Sequence, residues 1–335
     1  MGGLIVNNKV AVIFTGGTIS MKVDPRLNAA IPALSSEEIM GMVTNIERFT
    51  KIETINFGEY PGPHITPKMM LELSKLVKKT LERDDITGVV VTHGTDTLEE
   101  TAYLLDLTIK SEKPVVVVGA MRNSSELGYD GPSNLSAAIC TAISKEAINK
   151  GVLVVMNNEV NAASHVTKTN TLSLDTFKSP EFGALGIVDN DKVIFYRDIL
   201  DHHHIETNDI ECKVALIKCA AGMDSDLIDY CIDAGYKGIV VEAMGRGNIP
   251  LEMFEGVKRS LDRNIPVVIV SRCPTGRVLG TYGYPGGGKN LRDVGAIFGD
   301  NLPGQKARIK LMLILSITND IDTIREIFEK DIYTE

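Results

Sequence analysis

The run Gly88-Val89-Val90-Val91 passes directly into Thr92-His93-Gly94-Thr95-Asp96-Thr97, so an apolar segment ends in hydroxyls, an imidazole and a carboxylate. Such groups bind polar ligands and move protons, and in open parallel sheets ligands sit in the crevice beyond the strands' carboxyl ends. Thr95 and Asp96 are therefore expected at a cleft. A second transition of this kind is Val10-Ala11-Val12-Ile13-Phe14 followed by Thr15-Gly16-Gly17-Thr18-Ile19-Ser20. Its glycines permit a tight turn and let backbone approach a ligand while the Thr18 hydroxyl is held over it. No Gly-Lys-Ser/Thr follows and the G-x-G-x-x-G spacing is missing, so this is neither a P-loop nor a dinucleotide fingerprint. Taken singly, it is more often an ordinary turn with a helix-capping threonine. Lys168 lies among the hydroxyls of Val166-Thr167-Lys168-Thr169-Asn170-Thr171, and His64 closes the loop Gly58-Glu59-Tyr60-Pro61-Gly62-Pro63-His64. Each alone is more often a solvated charge or a hydrogen-bonding loop residue than a catalyst.

These residues need strands and helices to place them. Apolar, largely β-branched runs at 10–14, 88–92, 114–118 and 152–156 suit strands buried on both faces, and 52–57 reads as a further strand. Between them Ser35-Ser36-Glu37-Glu38 signals a helix start, and Thr66-Pro67 caps a helix to about Leu81. Thr97 and Glu100 have capping-box spacing before the stripe Leu98, Ala102, Leu105, and Asp130 and Ser133 precede a helix to about Lys150. This alternation predicts a parallel sheet with helices on both faces. Met21 to Pro32, with Asp24-Pro25 and Ile31-Pro32 disfavouring helix, reads as a mobile flap able to exclude water. Around Asp189 to Glu211 the alternation lapses into charged and turn residues, including His202-His203-His204, three adjacent histidines that seldom share one metal. The pattern resumes at Val214, with helices near 226–234, 250–261, 304–316 and 320–328 and strands at 214–217, 238–241 and 266–270. The expected fold class is α/β: a larger parallel-sheet, flavodoxin-like domain over 1–190, a linker over 191–212, and a smaller α/β domain over 213–335.

Composition narrows the class. The 335 residues are 44% hydrophobic and 24% charged, the balance of a folded globular protein. A net charge of −9 without any block of five or six like charges argues against nucleic-acid and anionic-membrane partners, leaving small molecules or copies of the same chain. Five widely spaced cysteines (Cys140, Cys212, Cys219, Cys231, Cys273) include no C-x-x-C pair, which points to reduced thiols and not to a disulfide framework or a zinc site. Residues 1–9 offer no long apolar stretch behind a basic end, and no eighteen apolar residues run together. A cytoplasmic location is expected.

Jointly, the motifs resemble the bacterial-type asparaginase/glutaminase family, closest to its cytoplasmic branch. The resemblance is carried, in order, by Thr15-Gly16-Gly17-Thr18-Ile19, Thr92-His93-Gly94-Thr95-Asp96-Thr97-Leu98-Glu99-Glu100-Thr101, Val118-Gly119-Ala120-Met121-Arg122 and Val166-Thr167-Lys168-Thr169-Asn170. Asp130-Gly131-Pro132-Ser133-Asn134-Leu135 and Gln305-Lys306-Ala307-Arg308 extend it from about Lys9 to about Phe328. It implies a homodimer or homotetramer with active sites at the junction of two subunits, no cofactor and no metal. By the same resemblance Thr18 is the nucleophile that forms an acyl-enzyme, and Thr95, Asp96 and Lys168 form a second triad in which the lysine makes the threonine a better proton relay. Asp96 would attract the substrate's α-ammonium, and the Ala120 carbonyl would contact the amide nitrogen. Amide hydrolysis needs these parts, because a threonine hydroxyl is a poor nucleophile at neutral pH without a base, and the developing oxyanion needs dipoles.

Three positions depart from the family pattern. No tyrosine occurs between Thr18 and Glu59, where many members carry one that hydrogen-bonds the nucleophile, which leaves open what polarises Thr18. Gly62 stands where many members have a substrate-binding serine, leaving backbone, helped by His64, for the α-carboxylate. Gly245-Arg246-Gly247-Asn248 resembles the family's asparagine-bearing loop, with Asn248 a substrate contact across the subunit junction, but Tyr282-Gly283-Tyr284-Pro285-Gly286-Gly287-Gly288-Lys289 has no acidic residue where several members place one. The expected activity is hydrolysis of L-asparagine, with glutamine or D-asparagine as side substrates. The alternatives are an amidase subunit of a transfer-RNA amidotransferase, for which a further N-terminal domain would be expected, and an amino-acid sensor without turnover. A nucleotide-binding protein is disfavoured by the missing phosphate-loop lysine.

Overall fold

The computed structural model describes residues 9–43, 50–199 and 203–329, and the chain divides into two compact units at 204/205. The first unit runs β1 (Lys9–Gly16), β2 (Met21–Asp24), β3 (Ala29–Pro32), α1 (Ser36–Met42), β4 (Lys51–Tyr60), α2 (Pro67–Leu81), β5 (Ile86–Thr92), α3 (Leu98–Thr108), β6 (Val115–Val118), α4 (Gly131–Ile143), β7 (Val152–Met156), β8 (Glu159–Ala162), β9 (Thr167–Lys168), β10 (Phe177–Lys178), β11 (Gly186–Asp189) and β12 (Lys192–Phe195). Its sheet has the order β12-β11-β8-β7-β6-β5-β1-β4. β4, β1, β5, β6 and β7 are parallel throughout. The apolar runs at 10–14, 89–91, 115–118 and 152–156 are all buried, with α4 covering β5 to β7 and the α2–α3 pair also packed on the sheet. Burial on both faces is what those β-branched runs predicted.

The sheet is larger than the parallel part expected from the sequence. β8, β11 and β12 extend it in antiparallel fashion. The reason is local: Asn157 and Asn158 both sit at positive φ (50° and 61°), giving a two-residue hairpin that turns β7 straight back into β8. Asn190, with φ 52°, does the same between β11 and β12. β12 thus falls inside the segment read as linker. In the remainder of that segment the His204 ring nitrogen Nε2 lies 3.1 Å from the Thr108 carbonyl. His202 lies outside the described residues.

Several helix ends differ from expectation for identifiable reasons. α1 carries a complete Ser35/Glu38 capping box and α2 is capped by Thr66. At α3, by contrast, the Thr97 hydroxyl makes no cap but donates to the Gly62 carbonyl at 2.7 Å, so the expected capping box is absent and the residue joins two loops instead. α4 stops at Ile143, not near Lys150, because Ser144 turns extended and a short 3₁₀ turn, Lys145–Ala147, follows. The segment read as a mobile flap is the antiparallel hairpin β2–β3, its tip closed by Asp24 accepting from the N–H groups of Arg26 and Leu27 at 2.7 and 2.9 Å.

The second unit contains β13 (Val214–Lys218), α5 (Asp226–Asp233), β14 (Gly238–Ala243), α6 (Leu251–Asp262), β15 (Val267–Ser271), α7 (Gly288–Asp293), β16 (Ile297–Phe298), α8 (Gly304–Ile314) and α9 (Ile321–Glu329). Its four strands form one parallel sheet in sequence order around a core that includes Ile239, Val241, Val267 and Phe298. α7 and β16 are too short to show a period in sequence. All five cysteines are free.

Candidate active site

β1 is flanked by β4 on one side and β5 on the other, so consecutive strands leave it in opposite directions. That is the topological switch point, where a crevice opens beyond the strand ends. Thr18 follows β1, Gly62 follows β4, and Thr95 and Asp96 follow β5. The three loops are held together by bare backbone. A Cβ on Gly17 would lie 2.4 Å from the Gly94 Cα, and one on Gly94 would lie 2.6 Å from the Gly62 Cα. Gly17 also has φ 84°, which disfavours any side chain there. The residues immediately after two of these abutting glycines are Thr18 and Thr95.

Thr95, Asp96 and Lys168 meet directly. The Lys168 Nζ lies 2.9 Å from Thr95 Oγ1 and 2.8 Å from Asp96 Oδ1. Thr95 is buried (6% exposed) while the Asp96 side chain is 61% exposed, so the amine bridges a sheltered hydroxyl and a solvent-facing carboxylate. With one partner that open, the ion pair contributes only about 0–1 kcal/mol of stability. Lys168 is presented by β9, which pairs antiparallel with β10. Its own N–H reaches Glu99 Oε1 at 3.3 Å. Glu99 is buried, and its second oxygen has no hydrogen-bond partner among the described residues. Nothing in the sequence pattern marked it beyond its place in the first turn of α3.

Beneath the β5 loop His93 is fully buried. Its Nδ1 donates to the Gly94 carbonyl at 2.8 Å, which fixes the tautomer, so Nε2 accepts from the Thr101 hydroxyl at 2.8 Å. Burial pushes the imidazole down to about 4, against a smaller upward pull from the hydrogen bond to Gly94. A neutral, doubly bonded histidine holds the Gly94-Thr95 turn and is not poised to titrate near neutrality. The Thr15 hydroxyl donates to the Thr92 carbonyl at 2.8 Å, joining the ends of β1 and β5 in the same way.

The remaining expected residues are placed unequally. Ala120 is buried just past β6, and its carbonyl accepts no hydrogen bond from the described residues. Asp130 holds the adjoining loop, accepting from the N–H groups of Met121 and Arg122 at 3.0 and 2.9 Å. His64 ends the 3₁₀ turn Gly62–His64 and is exposed. The Thr18 hydroxyl makes no hydrogen bond to a described residue, whereas its turn is tied down through backbone, with the Met21 N–H donating to the Thr18 carbonyl. Asn248 belongs to the second unit, where its Oδ1 accepts from the Gly288 N–H at 3.2 Å. Sequence reading missed Glu99, Thr101 and Tyr129, whose hydroxyl donates to the Ile19 carbonyl at 2.5 Å.

The chain matches the family model described as Asparaginase, N-terminal, over residues 9–201, and that of the Glutaminase/Asparaginase C-terminal domain over 213–328. It is 36% identical over 311 residues to an L-asparaginase of Bacillus licheniformis, covering 93% of this chain and 96% of the relative. It is 34% identical over 347 residues to a glutamyl-tRNA(Gln) amidotransferase component of Methanopyrus kandleri, covering 97% of this chain and 74% of that protein. The crystal structure of a probable cytoplasmic L-asparaginase from Campylobacter jejuni superposes with a TM-score of 0.87 at 34% identity, over 96% of this chain and 99% of the other. Similarity that reaches both units, in sequence and in fold, makes this chain a member of the asparaginase family.

Proposed function

We propose that the protein hydrolyses the side-chain amide of L-asparagine to L-aspartate and ammonia. The observation that carries this reading is the Lys168 amine held between Thr95 and Asp96, in a member of this family, beside the turn that bears Thr18. In the first half-reaction the Thr18 oxygen attacks the amide carbon, its proton passes to the departing nitrogen, and the C–N bond breaks to give an ester on Thr18 and ammonia. In the second, water attacks the ester carbon and the Thr18 hydroxyl is restored with release of aspartate. Lys168 takes and returns the proton through Thr95, Asp96 holds the charge in place and attracts the α-ammonium, and the Ala120 carbonyl contacts the amide nitrogen. The Gly62 backbone and His64 bind the α-carboxylate.

One methylene separates asparagine from glutamine, worth about 1–3 kcal/mol to a pocket, so glutamine is a slow side substrate; D-asparagine, which differs only in configuration at Cα, is the second side substrate. The catalytic groups belong to residues 1–190, with residues 213–335 supplying Asn248 to a neighbouring subunit's site in a homodimer or homotetramer. The support for that assembly is the family resemblance. A cytoplasmic setting accords with five free thiols. The reading from another class is a sensor that binds an amino acid without turnover. Ammonia release from L-asparagine, L-glutamine and D-asparagine over a wide concentration range separates them, with Thr95→Ala as the control. Saturable release, fastest with L-asparagine and lost in the control, is expected; no release at any concentration would overturn the hydrolase reading.

A further inference from the structure

The residues after Gly17 form a single 3₁₀ turn, Thr18–Ser20, with no side-chain cap at its start. So short a turn has little stiffness of its own and depends on outside partners for its carbonyls. Gly17 O is taken by the Ser20 N–H and hydroxyl at 3.0 and 2.9 Å, and Thr18 O by the Met21 N–H, all within the turn. The other two carbonyls have donors from outside: Ser20 O accepts from the Ala33 and Leu34 N–H groups at 3.0 Å each, and Ile19 O from the Tyr129 hydroxyl, 110 residues further on, at 2.5 Å.

Tyr129 is itself rigidly mounted. It lies in the loop between β6 and α4, whose two ends are pinned by Asp130 on the N–H groups of Met121 and Arg122. Arg122 closes the loop from within, donating to the carbonyls of Leu127 and Gly128 at 3.0 and 3.3 Å. The tyrosine ring rests on the first turn of α4, where a Cβ on Gly131 would lie 2.4 Å from its Cζ. The same loop grips the chain just beyond the turn: the Ser124 N–H and hydroxyl donate to Met21 O at 3.0 and 2.9 Å, and the Val23 N–H donates to Ser125 Oγ at 3.0 Å.

We propose that Tyr129 is a positioning residue for Thr18, fixing through the Ile19 carbonyl the turn that presents the hydroxyl. This rests on the reading of Thr18 as nucleophile. The Thr18 side chain has no hydrogen bond of its own to a described residue, so its direction is set by its backbone; the Gly17 N–H on Tyr60 O and the Ala33 and Leu34 N–H groups on Ser20 O hold the two ends of that turn, and the phenol holds the carbonyl next to Thr18. Attack geometry is steeply sensitive to placement, and a shift of about 1 Å costs on the order of 100-fold in rate. Burial pushes the phenol up to about 12, so it remains a donor across the neutral range.

Tyr129→Phe removes the donor and keeps the ring. The expected result is a kcat for L-asparagine lowered about tenfold or more, a KM within about twofold of wild type, and an unchanged melting temperature shift on adding aspartate. Replacing Tyr129 by 3,5-difluorotyrosine, a more acidic phenol of nearly the same shape, is expected to add an alkaline fall in kcat that wild type lacks, because a phenolate cannot donate to a carbonyl. Thr18→Ala is measured alongside. If it abolishes turnover while Tyr129→Phe keeps wild-type kcat and the fluorinated protein shows no new alkaline limb, the positioning role is wrong and the nucleophile stands. If Thr18→Ala itself retains turnover, the underlying reading fails first.

Discussion

Lys168 has two neighbours of opposite character, a hydroxyl sheltered at 6% exposure and a carboxylate open to solvent. A purely structural lysine would be satisfied by either. Contact with both, at 2.9 and 2.8 Å, suits an amine that moves a proton on one side while its charge is balanced on the other. Lys168→Met keeps the length of the side chain and removes the nitrogen. Steady-state kinetics on the variant are expected to show kcat lowered by about 100-fold or more with KM changed only a few-fold. A rise in KM at unchanged kcat would instead make Lys168 a binding group. Thr95 and Asp96 were visible in the sequence because they interrupt an apolar run at a strand end. Lys168 by itself was not separable there from a surface charge, and only the family resemblance singled it out, since its meaning lies in a contact across 73 residues that its own chemistry does not encode.

The elements beneath these residues are organised by close backbone approach and by one buried histidine. Gly17, Gly62 and Gly94 abut, so the loops after β1, β4 and β5 meet backbone to backbone, with no room for a Cβ at Gly17 or Gly94 and little at Gly62. His93 locks the last of them from below. In the unfolded chain its imidazole titrates near 6.5, and in the fold near 4. Between those values the unfolded state binds more protons, so stability is full above pH 6.5 and falls as pH drops towards 4, by about 3 kcal/mol for this group. Thermal unfolding from pH 4 to 8 is expected to show a shallower acid-side slope for His93→Gln than for wild type; equal slopes would contradict the assignment. The strands and most helices could be read from the sequence because burial on both faces and capping residues leave local signatures. The antiparallel extension was not, although Asn157-Asn158 is the signal for it, because apolar periodicity reports burial and not strand direction. Thr97 misled for a related reason: a hydroxyl at a helix start can cap it or reach across to another loop, and here Gly62 O is the acceptor.

At the scale of the whole chain, the parallel strands around β1 put three loops at one switch point, and that placement accounts for why Thr18 and Thr95, 77 positions apart in sequence, each follow a glycine packed on the other's loop. The second unit has a fold of the same type, with its own core and its own parallel sheet, and both units match the asparaginase family. The central claim is that Thr18 is the nucleophile of an amide hydrolysis. The most direct test is ammonia release from L-asparagine by Thr18→Ala, run together with the shift in melting temperature caused by aspartate as a measure of retained binding. Turnover lower by about 1,000-fold or more, with the aspartate shift preserved, is the predicted result. Turnover close to wild type would contradict the account and move the nucleophile to another group.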